Sequence, residues 1–243
     1  MALLEVQGIT KRFGGLTAVN QLSMTVEPGQ IVALIGPNGA GKTTAFNLIA
    51  GFYKPDSGQV LFGGRDLTKL RPDQICKLGL TRTFQVVRPF AGISVRDNVM
   101  VGAYARTNSA AEARQRAEAA LDMLGMAELA DHLASGLPIA WRKRLEMARA
   151  LATEPKLLLL DEAMAGLRPA ETDEVIGMVR KLSERGIAIV LVEHVMRVVM
   201  SLAERIVVLH HGEPIALGAP AEIVKNPQVI DAYLGEATAD AEG

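Results

Sequence analysis

Three short runs of the chain are apolar without interruption: Ile31 to Ile35, Leu157 to Leu160 and Ile187 to Val192. A strand with one wetted face alternates polar and apolar positions. A run without alternation predicts a strand buried on both faces, as in a parallel sheet covered by helices. Residues 3–10 and 22–27 do alternate, which predicts strands of a half-exposed antiparallel sheet. Pro28-Gly29 turns the chain into the first apolar run, and Pro55-Asp56-Ser57-Gly58 makes another turn. Beyond it, Gln59 to Phe62 reads as a strand, 72–79 as a short helix, and Thr81 to Gln85 as a strand that ends at Gln85.

The texture changes between about 94 and 153. Asp97 to Tyr104, Ala110 to Leu124 and Arg142 to Ala152 read as helices with few strand signals between them, so this stretch is expected to be a helical insert. The βα rhythm then returns. Leu157 to Leu160 is a strand, Ala170 to Arg185 a helix, Ile187 to Val192 a strand and Val195 to Ala203 a helix. Ile206 to Leu209 and Ile215 to Gly218 read as a hairpin-like end. Strands alternating with helices predict an α/β fold with a mostly parallel sheet and ligands at the strand carboxyl ends. No internal repeat is visible. Residues 1–243 are read as one domain, with a small acidic tail, 236–243, expected to be disordered.

Composition narrows the function classes. Apolar residues make up 49% of the 243, enough for a sizeable core. Lys and Arg number 26 against 27 Asp and Glu, so no basic surplus points to nucleic acid as the main partner. A single cysteine, Cys76, rules out an internal disulfide framework and suits a reducing compartment. The start lacks the basic and apolar regions of a signal peptide. Ile187 to Ala203 is apolar-rich, but Glu193, His194 and Arg197 interrupt it, so no membrane span is expected. The chain is expected to be soluble, with any membrane role coming through a partner.

The first apolar run leads into Gly36-Pro37-Asn38-Gly39-Ala40-Gly41-Lys42-Thr43-Thr44, which fits the phosphate-binding loop G-x-x-x-x-G-K-[ST]. Gly41 lets backbone N–H groups turn inward around phosphate oxygens. Lys42 can reach the β- and γ-phosphates, and the Thr43 hydroxyl can ligate Mg²⁺. Strand before and helix after, Thr44 to Ala50, supply the context the motif needs, with the helix N-terminus facing the phosphates. The run Leu157 to Leu160 is followed by Asp161-Glu162. Asp161 is expected to hold Mg²⁺ at the end of the strand next to the phosphate loop. Glu162 is expected to polarise the water that attacks the γ-phosphate. His194 follows another strand, where a βα loop faces the same nucleotide. Gln85 also ends a strand. The Asn-Lys-x-Asp motif that reads guanine is absent.

Taken in order, phosphate loop, Gln at a strand end, helical insert, Asp-Glu pair and His after a strand resemble the ATP-binding subunits of ABC transporters over essentially the whole chain. Gly51-Phe52-Tyr53-Lys54-Pro55, Arg82-Thr83-Phe84-Gln85, Val192-Glu193-His194-Val195-Met196 and the ending Ala232-Tyr233-Leu234-Gly235-Glu236 are most similar to the ATP-binding proteins of branched-chain amino-acid importers. Lipopolysaccharide-export ATPases share a similar ending, and soluble ABC-type ATPases are a further alternative. The resemblance implies a P-loop NTPase (RecA-like) core with an N-terminal antiparallel subdomain and an inserted helical subdomain. It implies Phe13 stacking on adenine with Val19 nearby, Gln85 at Mg²⁺ or the attacking water, and His194 at the γ-phosphate. It also implies ATP and Mg²⁺ as ligands, a second ATP-binding subunit, transmembrane permease subunits and, through them, a periplasmic substrate-binding protein. The location so implied is peripheral, on the cytoplasmic face of the inner membrane. Val86, Val87 and Phe90 near Gln85 are either the candidate docking site for a permease helix or residues of the core.

The chain departs from the family at one motif above all. Counting back from Ala148-Arg149-Ala150-Leu151, the Leu-Ser-Gly-Gly-Gln signature falls on Leu137-Pro138-Ile139-Ala140-Trp141. Pro138 has neither hydroxyl nor N–H, and Ile139 and Ala140 add Cβ atoms where phosphate should approach closely. A helix N-terminus with Arg142 and Lys143 nearby is expected to keep some attraction for phosphate. Ala163 and Arg168 also replace the usual Pro and Asp or Asn. These changes read in two ways: as subfamily drift with function intact in a homo- or heterodimer, or as the mark of an asymmetric dimer. In the second, a paralogous partner with an intact signature completes one full site, the one holding Lys42 and Glu162.

Overall fold

The computed structural model describes residues 2–84 and 88–239. In chain order the first half holds β1 (Leu4–Phe13), β2 (Leu16–Val26), β3 (Ile31–Ile35), α1 (Lys42–Ile49), β4 (Ser57–Phe62), β5 (Arg65–Asp66), α2 (Pro72–Leu78) and β6 (Leu80–Arg82). Next come α3 (Val95–Ala103), α4 (Ala110–Met123), α5 (Ile139–Leu151), β7 (Leu157–Asp161), α6 (Pro169–Glu184) and β8 (Ala188–Val192). The chain closes with α7 (Met196–Leu202), β9 (Arg205–His210), β10 (Glu213–Gly218), α8 (Pro220–Ile223) and α9 (Pro227–Ala239).

Two sheets result, an antiparallel one in the order β2-β1-β4-β5 and a six-stranded one in the order β10-β9-β3-β8-β7-β6. In the larger sheet β9, β3, β8, β7 and β6 run parallel, and only β10 is antiparallel to its neighbour. The uninterrupted apolar runs are its central strands. Their alternate residues serve two different cores. Val32, Leu34, Leu159 and Val190 face the antiparallel sheet and α1, where Phe46 and Ile49 are fully buried. Ile31, Ala33, Ile35, Leu158 and Leu191 face the helices, in one cluster with Val99, Leu121, Leu145 and Val179. The insert helices α3, α4 and α5 therefore share a continuous hydrophobic cluster with the sheet.

Most expected elements stand within a few residues of their expected ends, but four details change. β6 ends at Arg82 and not at Gln85, which lies outside the described residues with Val86 and Val87. β8 stands between β3 and β7, so Asp161 does not end the strand next to the phosphate loop. The reason is topological: the crossover from β3 skips a position, which β8 later fills with five residues buried on both faces. Helix α5 starts at Ile139, three residues before Arg142, because Pro138 caps it with the φ of −58° that its ring imposes. Helix α9 continues to Ala239, past the point where the tail was expected to lose order. Among the described residues no helix is long and apolar enough to cross a membrane.

α3 lies close on α5, and Gly102 makes that approach possible. A Cβ there would stand 2.1 Å from the Arg149 carbonyl oxygen. Gly102→Ala is therefore expected to lower stability by about 1–3 kcal/mol through overpacking, despite alanine's better helix propensity. A urea-unfolding midpoint checks it; an unchanged or raised midpoint would show that the two helices can part at no cost.

Candidate active site

The phosphate loop runs from the end of β3 into α1. Gly41 takes a left-handed φ of 99°, and a Cβ on it would meet the Ala18 carbonyl oxygen at 2.2 Å. Any side chain here would need both a disfavoured backbone and a displaced β2. Lys42 is 6% exposed, and its Nζ donates to the carbonyls of Gly36 at 2.5 Å and Pro37 at 2.6 Å. The loop thus folds around its own lysine, whose ammonium sits where anionic oxygens can replace carbonyl ones. Gly36 contributes to this site as an acceptor for Lys42, not as part of the cleft wall.

Asn38, Gly39, Ala40, Gly41, Lys42, Thr43 and Thr44 line a cleft of about 450 Å³ with Phe13, Glu162 and His194. Phe13 is 43% exposed at one end, edge-on to Tyr53 at 5.3 Å between ring centroids. Its open face suits stacking on a planar base. Val19 is fully buried and does not line the cleft; Leu16, Thr17 and Ala18 do. Register shifts in the pairing of β1 with β2 turn Val19 into the core beneath the cleft.

At the other end, His194 Nε2 lies 2.6 Å from Glu162 Oε1. The backbone of Glu162 is left-handed, with φ of 49°, an unfavourable state for a residue with a side chain. Backbone hydrogen bonds hold it, among them the Ala165 N–H donating to Glu162 O at 3.2 Å. The Glu162 N–H donates to Val192 O at 2.9 Å, and Lys143 Nζ donates to Glu162 O at 2.7 Å. Lys143 is 8% exposed and comes from α5. It is thus bonded to a backbone carbonyl of this chain's own site and turned away from the α5 N-terminus, contrary to the expectation that it attracts phosphate there. Burial lowers the Lys143 pKa, and the carboxylates of Glu193, Glu162 and Glu146 pull it back up. Burial pushes the Glu193 carboxyl up, opposed by the Met164 N–H that it accepts at 2.9 Å and by Lys143.

A second cavity of about 400 Å³ adjoins the first through Thr43 and is lined by Asp161, Arg82 and Glu146 among others. Among the described residues no three His, Cys, Asp or Glu side chains gather into a metal cage. Mg²⁺ does not require one: a carboxylate, a hydroxyl, nucleotide phosphates and waters satisfy it. Thr43 and Asp161 on one cavity fit that donor set. Glu146 accepts the Phe84 N–H at 2.5 Å, tying α5 to the segment that leads to Gln85; burial raises the Glu146 carboxyl. The sequence does not reveal Glu146, nor that Lys143 reaches Glu162 and Arg82 reaches Asp161, because each segment is legible only by itself. The signal available was their placement, since two lie on the helix of the altered signature and one lies three residues before Gln85.

A family model for the ABC transporter matches residues 19–165, from β2 to just past the Asp-Glu pair. The chain belongs to the ABC transporter ATPases. A second model, for the branched-chain amino acid ATP-binding cassette transporter, matches residues 213–239 of this ABC ATPase. It is 42% identical, over 97% of its length and 98% of the other's, to the high-affinity branched-chain amino acid transport ATP-binding protein BraF of Pseudomonas aeruginosa. The crystal structure of an ATP-binding cassette in its ADP conformation superposes with a TM-score of 0.88 at 30% identity, covering 97% of this chain and 99% of that one. A dimeric ATP-binding cassette in a post-hydrolysis state, bound to ADP and Pi, gives a TM-score of 0.80 at 26% identity, covering 89% and 98%.

The signature end of this ABC ATPase offers no hydroxyl or glycine donors and keeps only the backbone N–H groups of the first turn of α5. Pro138 is the N-cap of α5, and Ile139 is 52% exposed. Arg142 is turned back onto the local backbone, donating to Leu137 O at 2.6 Å and to Ser135 O at 3.2 Å. The Arg144 guanidinium lies over the Trp141 ring at 4.6 Å and pairs with Glu174. Both arginines are thus engaged within the chain.

Proposed function

We propose that this chain is the ATP-hydrolysing subunit of an importer of branched-chain or related amino acids, bound to permease subunits on the cytoplasmic face of the inner membrane. The observation that carries the ATPase part is one cleft in which Lys42, Thr43, Glu162 and His194 converge. The substrate part is supported by the branched-chain model over residues 213–239, a match that favours import of amino acids over lipopolysaccharide export. In this reading Phe13 holds adenine, the phosphate-loop N–H groups and Lys42 hold the phosphates, and Thr43 with Asp161 holds Mg²⁺. Mg²⁺ supplies charge neutralisation on the phosphates. Glu162 accepts a hydrogen bond from the attacking water, and its short contact with His194 keeps the carboxylate in place.

The chain works as half of a two-cassette sandwich, a reading supported by the dimeric relative. Its own ATP meets the partner's signature, while its own altered signature meets the partner's ATP. Arg168, at the position where the family carries an Asp or Asn across the interface, is exposed and pairs with Glu171 at 2.6 Å within its own chain. Of the candidate docking residues Val86, Val87 and Phe90, Phe90 is the one among the described residues, and permease docking is assigned to it with the exposed Phe84. Phe84 and Phe90 are 49% and 48% exposed, and Phe84 sits edge-on to Phe52.

Lys42→Ala tests the nucleotide assignment. The lost charge-assisted contacts are worth about 2–3 kcal/mol, or roughly a ten- to hundredfold weaker ATP affinity. Titration calorimetry with ATP reads it directly. Equal affinity in the mutant would remove the phosphate loop from the binding site.

A further inference from the structure

The guanidinium of Arg82 is placed between the two elements that carry the expected metal ligands. Its Nη2 donates to Asp161 Oδ2 at 2.6 Å, and its Nη1 donates to Asn47 Oδ1 at 2.5 Å. Asn47 lies four residues after Thr43 on α1, so the two share a helix face one turn apart. Three rings surround the group: Phe46, Phe52 and Phe84, at 5.7, 5.9 and 5.4 Å from the guanidinium carbon. The side chains of Arg82 and Asp161 are 7% and 2% exposed. Arg82 Nε has no hydrogen-bond partner among the described residues.

A buried carboxylate without a counter-ion is costly. Asp161 could meet that need with a divalent cation alone, but here it already has a cation bonded to it. We propose that Arg82 is a positioning residue that acts as a built-in counter-ion of Asp161, so that the divalent cation enters this site only together with nucleotide. The inference rests on the nucleotide reading above and adds an order of events to it. In the nucleotide-free chain, Mg²⁺ would add two positive charges to a cavity where Arg82, Arg88 and Arg149 already outnumber Asp161 and Glu146. Nucleotide phosphates bring the negative charge that reverses this balance. The aromatic rings and Asn47 hold Arg82 close to Asp161 in this structure, so a metal would reach Asp161 by displacing the Arg82 bond. The arrangement prevents a metal-loaded, nucleotide-free cassette.

Two measurements test this. In the first, Mn²⁺ stands in for Mg²⁺ and its binding is followed by electron paramagnetic resonance. Without nucleotide, Arg82→Gln is expected to bind Mn²⁺ at least tenfold more tightly than the parent. Arg82→Lys, which keeps the charge, is expected to bind like the parent. With ADP present the difference should shrink. A folded Arg82→Gln protein with Mn²⁺ affinity equal to or weaker than the parent's would overturn the proposal, as would Arg82→Lys behaving like Arg82→Gln. The second measurement needs no variant. The parent's melting temperature should be unmoved by millimolar Mg²⁺ alone and raised by Mg²⁺ with ADP, since only ligands bound by the native state stabilise it. A rise with Mg²⁺ alone overturns the counter-ion role, whereas no rise with Mg²⁺ and ADP together sinks the nucleotide reading itself.

Discussion

Glu162→Gln slows ATP hydrolysis by about 10²-fold or more, while ATP still binds. The substitution keeps the size and the bond to the neighbouring strand, because the Glu162 N–H donates from its backbone to Val192 O. It also keeps the Lys143 contact, which is made to the Glu162 carbonyl oxygen. What it removes is the carboxylate charge, which orients and polarises water and meets His194 at 2.6 Å. Binding depends on other groups, chiefly Lys42 and the loop N–H donors. The expected phenotype is thus a split: a turnover number that collapses and an ATP dissociation constant that stays near the parent's. Single-turnover hydrolysis and equilibrium nucleotide binding read the two sides separately. A variant that hydrolyses at the parent rate would take Glu162 out of the chemistry. Loss of both activities together would mean that the left-handed turn at Glu162 had not survived.

Restoring Ser-Gly-Gly-Gln at Pro138, Ile139, Ala140 and Trp141 is expected to raise the rate of a dimer made from this chain alone. Each lost donor at a developing phosphate charge costs about 10²-fold or more, and this end of α5 has lost several. Nearby basic side chains give little compensation, which leaves the backbone N–H groups at the start of α5. Arg142 is spent on Leu137 and Ser135 carbonyls, Lys143 on Glu162, and Arg144 on Trp141 and Glu174. A restored hydroxyl and two bare glycine N–H groups would give the opposite ATP the contacts it lacks. Removing Trp141 also strips a ring from Arg144, so the variant's fold should be checked by its melting temperature beside the rate. An unimproved rate in a well-folded restored protein would show that this face never meets ATP.

How much the sequence reveals depends on range. The phosphate loop, the Asp161-Glu162 pair and the central strands are legible because each is a local code: a backbone shape that needs glycine, or a strand buried on both faces. His194 is legible through its place after a strand, and the structure brings it to Glu162 over 32 residues of chain. What stays hidden is long-range. Nothing local tells that Lys143 reaches Glu162 or that Arg82 bonds Asp161, 79 residues away. Sheet order is hidden too, since β8 enters between β3 and β7 only after both are made. Val19 misleads for a subtler reason. Its alternation on β2 is broken by register shifts, so the side chain turns into the core. α8, four residues long, carries too short a pattern to read. Gln85 lies outside the described residues, and its role at Mg²⁺ or the attacking water stays a proposal.

The most direct measurement is steady-state ATP hydrolysis by the isolated chain, repeated after adding a paralogous cassette with an intact signature. A slow rate alone, raised by the paralogue and lost again when this chain carries Glu162→Gln, is the expected result. A fast rate from the isolated chain that the paralogue leaves unchanged, or a stimulated rate that survives Glu162→Gln, would contradict a single full site built on Lys42 and Glu162.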